Sequence, residues 1–121
     1  MSKTITGVRA NTIAEVHGFL VPAKARAEKK IAEFVQRLQA DPYNTLRFNG
    51  FSLEEEAAKV ELYSRILRGV GTEGYHTEEL LKDLRREVER AVEDVRADVV
   101  ERSLGKVASE LIRDISRGLL R

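Results

Sequence analysis

Apolar residues recur at steps of three and four along most of this chain, and a weak alternation, through Thr4-Ile5-Thr6-Gly7-Val8, is confined to its first ten positions. Ile13, Val16 and Leu20 share one helical face, with Thr12 and Glu15 placed as a capping box ahead of them. Pro22 ends or kinks that helix, or opens the next one. From Ala23 to Ala40, the positions Ala27, Ile31, Phe34, Val35 and Leu38 predict a second helix, which Asp41-Pro42 stops. Residues 41–51 read as a loop. Ser52 then caps a third helix, Glu55 completes a second capping box, and Leu53, Ala57, Val60, Tyr63, Ile66 and Leu67 form its inner face. Gly69, Gly71 and Gly74 close it, and Thr77 caps the next helical stretch.

That stretch, 77–121, is one nearly unbroken amphipathic pattern. Leu81, Leu84, Val88, Val92, Val95 and Val99 form a first stripe, and Leu104, Ala108, Leu111, Ile115 and Leu119 a second. Charges at helical spacing support it: Glu78 with Lys82, Glu87 with Arg90, Glu93 with Arg96, Asp98 with Arg102. A continuous helix of this length would run roughly 67 Å, whereas a compact domain of this chain length is only about 35 Å across. Either the helix kinks near Gly105 or another chain covers its stripe. The pattern predicts an all-α fold, a four-helix bundle-like domain over 1–121 with a short extended arm at 1–10. The first stripe serves as the fourth bundle member. The segment 104–121 is expected to oligomerise, through Leu104, Ala108, Leu111, Ile115 and Leu119.

Composition narrows the chemistry. Among 121 residues there is no cysteine, which excludes disulfides, thiolate metal sites and cysteine nucleophiles. No run approaches a membrane span and the N-terminus lacks an apolar leader, so a cytoplasmic location, or the interior of a virion, is expected. Net charge is +1 but unevenly spread: +4 over residues 1–50, −5 over 51–100 and +2 over 101–121. Such asymmetry favours head-to-tail self-association or an anionic partner for the N-terminal half.

Candidate catalytic patterns are sparse. Gly69-Val70-Gly71-Thr72-Glu73-Gly74 spells a phosphate-loop pattern but comes after a helix where that chemistry needs a strand, so it reads as a helix end. Glu73 and His76 have a di-iron spacing without the second motif, and His17 has no companion at three or four residues. Glu54, Glu55, Glu56 and Glu61 make a carboxylate-rich patch, which helix capping accounts for. No cofactor, metal or small-molecule substrate is implied.

The strongest charged feature is basic. Lys24, Arg26, Lys29 and Lys30 fall within seven residues, with Arg37 farther along, and Arg26, Lys30 and Arg37 share a face opposite Ile31 and Leu38. Such a face could neutralise phosphates without reading sequence. In outline, an arm leading into helices resembles ribbon-helix-helix regulators, in which Lys3, Ile5 and Arg9 would face the groove. The long C-terminal helix has no counterpart there. Two expectations result: a non-enzymatic structural or adaptor protein that self-associates or docks into a larger assembly through its C-terminal helix, and, as the alternative, a dimeric DNA-binding regulator using its basic half.

Overall fold

The computed structural model describes residues 9–47, 51–71, 73–93 and 98–120, and among these there are helices and no strand. Residues 1–8 of the arm expected at 1–10, with Lys3 and Ile5, lie outside the described residues, as does Val95. In chain order the helices are α1 (Ile13–Ala40), α2 (Pro42–Arg47), α3 (Leu53–Val70), α4 (Thr77–Glu93) and α5 (Val99–Ser116).

Thr12 and Glu15 do form the capping box, with the Glu15 amide donating to Thr12 Oγ1 at 3.2 Å and the Thr12 amide to Glu15 Oε1 at 2.8 Å. Pro22, however, neither ends nor divides the helix. The apolar steps Val16, Leu20, Ala23 and Ala27 stay in phase across it, and all four side chains are buried. Packing of that face outweighs the single backbone bond the proline removes. Asp41 stops α1, but the chain then turns at once into α2, where Pro42 supplies the first residue and Asp41 Oδ2 accepts from Asn44 Nδ2 at 2.9 Å. The second capping box is only half made. Ser52 Oγ accepts from the Glu55 amide at 3.1 Å, while the Glu55 carboxylate reaches across to Lys106 at 2.8 Å.

The largest departure concerns 77–121. The continuous helix is instead two helices folded back on one another. Helix α4 is described to Glu93, and α5 opens on Asp98, in extended backbone, whose Oδ1 accepts from the Glu101 amide at 2.9 Å. Helix α5 runs through Gly105 without a break. That glycine serves packing instead: a Cβ placed on it would lie 2.5 Å from the Ala91 Cβ, so its bareness lets α4 and α5 approach closely. Along α4 the inner face runs through Leu80, Leu81, Leu84, Val88 and Ala91, so Leu81, Leu84 and Val88 of the expected stripe face inward while Val92 is 78% exposed.

Four residues tie the opposite end together. Asn11, 4% exposed, donates from its backbone to Ile115 O at 2.9 Å and accepts from Thr77 Oγ1 at 2.7 Å. Its side chain closes a two-way clasp with Leu120, donating to the carbonyl at 3.0 Å and accepting from the amide at 3.0 Å. Thr77 is therefore a tether rather than a cap. The start of α1, the start of α4 and the end of α5 meet here, whereas Ala91–Gly105, Glu55–Lys106 and the Phe34–Phe51 ring pair mark the other end. Helix α3 runs antiparallel to α1 and parallel to α5, and α4 antiparallel to α5. The main packing pairs are α1 with α3, α3 with α5, and α5 with α4.

Replacing Asn11 by alanine strands the buried amide and carbonyl of Leu120, and an unsatisfied buried polar group costs about 1–3 kcal/mol. Urea denaturation of Asn11→Ala is expected to show a loss in that range, and Asn11→Asp, which keeps the acceptor but sets a buried carboxylate against the Leu120 carbonyl and Glu15, a loss at least as large.

Candidate interaction surface

Four of the five residues assigned from sequence to an oligomer interface are inside this chain. Leu104, Ala108, Leu111 and Ile115 are each at most 9% exposed and belong to the central apolar cluster with Val16, Leu20, Leu62, Ile66, Leu80 and Leu84. Of the five, only Leu119 is open, at 51%. The stripe that lacks a partner in the sequence finds one in α3 and α4, because the reversal before Asp98 brings α4 alongside it. The C-terminal stripe is therefore covered within the chain and gives no reason for association.

The basic residues are on the surface of α1. Arg26, Lys29, Lys30 and Arg37 are exposed and Lys24 is half-buried, and among the described residues none makes an ion pair within the chain. At roughly 100° per residue, Arg26, Lys30 and Arg37 share one flank, about a quarter-turn from the core face rather than opposite it, while Lys24 and Lys29 project elsewhere. The shared flank faces acidic groups of its own chain. The Lys30 charge helps hold the Glu55 carboxyl down, and Arg26 acts on Tyr63 beside Glu56 and Glu110.

The remaining motifs come apart. Gly69 ends inside α3 against the Tyr75 ring, Gly71 caps the helix with an ordinary φ of −79°, and of the three glycines only Gly74 takes a left-handed φ, of 80°. Thr72 lies outside the described residues. Glu73, His76 and His17 are exposed, and no group of metal-ligating side chains converges among the described residues. Of the carboxylates, Glu56 is buried against Lys59 at 3.1 Å, Glu55 meets Lys106, and Glu61 meets Arg65 at 2.7 Å. A cleft of about 250 Å³ separates α3 from α4 over Leu62, Ile66, Leu80 and Leu84. Arg65–Glu87 at 2.9 Å bridges its two walls, and Arg90–Glu87 at 3.4 Å and Tyr75 Oη donating to Asp83 at 3.2 Å line its rim.

The surface left open is apolar. Of the eight large hydrophobic side chains exposed among the described residues, six lie at the end away from Asn11: Val35, Tyr43, Leu46, Leu53, Val92 and Val100. Helix α1, with 28 residues against 18 in α3, projects past its neighbour there, and α2 sits on the projection with Tyr43 67% and Leu46 64% exposed. The apolar spacing alone puts both in a loop, although Asp41-Pro42 is itself a start signal for α2. No helix among the described residues is long and apolar enough to cross a membrane. The chain matches no protein-family model, no curated protein and no solved structure.

Titration reports on the same packing. Burial, aided by Glu110 and Glu56, pushes the Tyr63 phenol up to about 12, and burial with Asp83 does the same for Tyr75. Between pH 10 and 12 the unfolded chain releases these protons while the folded chain retains them. Their stabilisation is complete below pH 10 and is lost as pH rises through 12. On the acid side, Glu15, held low by the Thr12 amide, Glu55 by Lys106, and Glu79 by its own and the His76 amide lose their contribution as pH falls below 4.5. Thermal melts across pH 9–12 are expected to fall steeply, and more shallowly in the Tyr63→Phe, Tyr75→Phe double variant.

Proposed function

We propose that this chain is a non-enzymatic helical structural or adaptor protein that self-associates or docks into a larger assembly, working in the cytoplasm or, if viral, within a virion. The surface that serves this role is the projecting part of α1 with α2, in place of residues 104–121. The observation that supports it is the gathering of exposed Val35, Tyr43, Leu46 and Leu53 at one end of a chain whose stripe from Leu104 to Ile115 is covered. Scattered exposed apolar residues need no explanation, but a cluster of them on a projecting element marks contact surfaces, and tyrosine is enriched in such surfaces. Sedimentation of the wild-type chain from micromolar to near-millimolar concentration tests this. Association that weakens in a Tyr43→Ser, Leu46→Ser variant is the expected result. A wild-type chain that stays monomeric throughout removes the self-association reading.

A second reading, nucleic-acid binding, is favoured by the lack of ion pairs on Arg26, Lys30 and Arg37 among the described residues. It has less support, because Glu33 lies in the same stripe and Glu55 beside it. Retention of duplex DNA that falls with salt and vanishes on charge reversal of those three residues would carry it; no retention at low salt would end it.

A further inference from the structure

Besides its core face, α1 carries a second regular pattern that is only partly covered among the described residues. Val21, Lys24, Glu28, Ile31, Val35 and Leu38 are spaced by 3, 4, 3, 4 and 3, the spacing of a coiled-coil seam. Helical spacing places it about a quarter-turn from the core stripe, on the flank away from Arg26 and Lys30. Val21 is 48% and Val35 42% exposed, Glu28 is exposed, and Lys24, Ile31 and Leu38 are half-buried. Lys24 and Glu28 are one helical turn apart, yet neither side chain makes a hydrogen bond or ion pair among the described residues. Pro22 projects from the far side of the helix, clear of the seam.

We infer that this seam pairs with the same seam of a second copy, antiparallel, about a two-fold axis level with Arg26. The step rests on the reading of the protein as one that self-associates, and it names the partner and a further face, along the middle of α1, that shares only Val35 with the exposed cluster at the projecting end. Charge selects both orientation and register. A parallel pair in register would set Lys24 against Lys24 and Glu28 against Glu28, whereas the antiparallel pair sets Lys24 against Glu28 of the second copy twice over. In that register Val21 meets Ile31 of the second copy, Val35 meets His17, and Leu38 meets Ala14, each an a-to-d contact of the seam. Sliding either chain by one heptad sets Lys24 against Val21 or Val35 and Glu28 against His17 or Ile31, so the two Lys24–Glu28 pairs are lost. The surface is self-complementary, as a two-fold interface requires.

The test is a charge swap read by sedimentation equilibrium at low salt. Lys24→Glu and Glu28→Lys each turn two attractive pairs into repulsive ones, so each variant is expected to weaken the dimer by about tenfold. The double variant K24E/E28K, and an equimolar mixture of the two single variants, restore both pairs and are expected to recover wild-type affinity. Circular dichroism checks that these substitutions leave the helices intact. A dimer whose strength ignores the swap, or a double variant as weak as the singles, overturns the seam while leaving self-association standing. A wild-type chain that is monomeric at every concentration overturns both.

Discussion

Gly105→Val is expected to be among the most damaging single substitutions on this chain, costing about 3 kcal/mol, although valine is no worse than glycine as a helix former. Even the single carbon of Gly105→Ala would meet the Ala91 Cβ at 2.5 Å, and Glu87 O lies 3.9 Å away. The Ala91 Cβ is fixed to helix backbone and cannot swing aside, so α4 and α5 must separate. Against that, alanine gains about 1 kcal/mol of helix propensity. The steric term is expected to win, leaving Gly105→Ala destabilised by about 1–2 kcal/mol. Moving the glycine across the interface, in an Ala91→Gly, Gly105→Ala double variant, should recover most of that loss. Urea denaturation of the four chains gives the coupling directly. Additive losses would mean that the two positions do not touch.

Ile115→Ala is expected to cost about 2–5 kcal/mol, the range for emptying a fully buried aliphatic site. The residue is 0% exposed in the cluster where α1, α3, α4 and α5 converge. A domain of this size is stable by only about 5–15 kcal/mol, so the variant could lose a third of its stability. Leu119→Ala, beyond the helix end and 51% exposed, is expected to change stability by no more than about 0.5 kcal/mol. Both losses should be independent of protein concentration, since the cluster belongs to one chain. A midpoint for Ile115→Ala that climbs with concentration would place the residue between chains.

The helices are more fully legible in the sequence than their arrangement. Local signals carry the α1 start at Thr12 and Glu15, its stop at Asp41, and the inner face of α3, because capping and three-to-four spacing are short-range effects. The reversal between α4 and α5 is hidden by charge spacing that stays helical on both sides of it. Asp98 with Glu101 three residues later is a readable N-terminal signature, but Asp98 also matches Arg102 as a surface pair, which keeps the helical pattern going. Gly105 looks like a weak point because its propensity is a local property, while its role depends on Ala91, 14 residues earlier in the chain. Asn11 is beyond reach for the same reason, since its clasp with Leu120 spans 109 residues. For the candidate surface, the basic residues of α1 and their exposure are legible. Their dispersal around the helix, and the uncovering of Val21 and Val35, depend on which face α3 occupies.

The central claim is that the C-terminal amphipathic pattern is satisfied by folding back within one chain, and a single distance tests it. The chain has no cysteine, so spin labels on Lys82→Cys and Arg113→Cys, both exposed, report only that pair. Packed helices lie about 8–10 Å apart, so with label linkers the separation is expected below about 25 Å in dilute protein diluted further with unlabelled chain. An uninterrupted helix would hold the two sites about 47 Å apart, and that distance would contradict the fold-back.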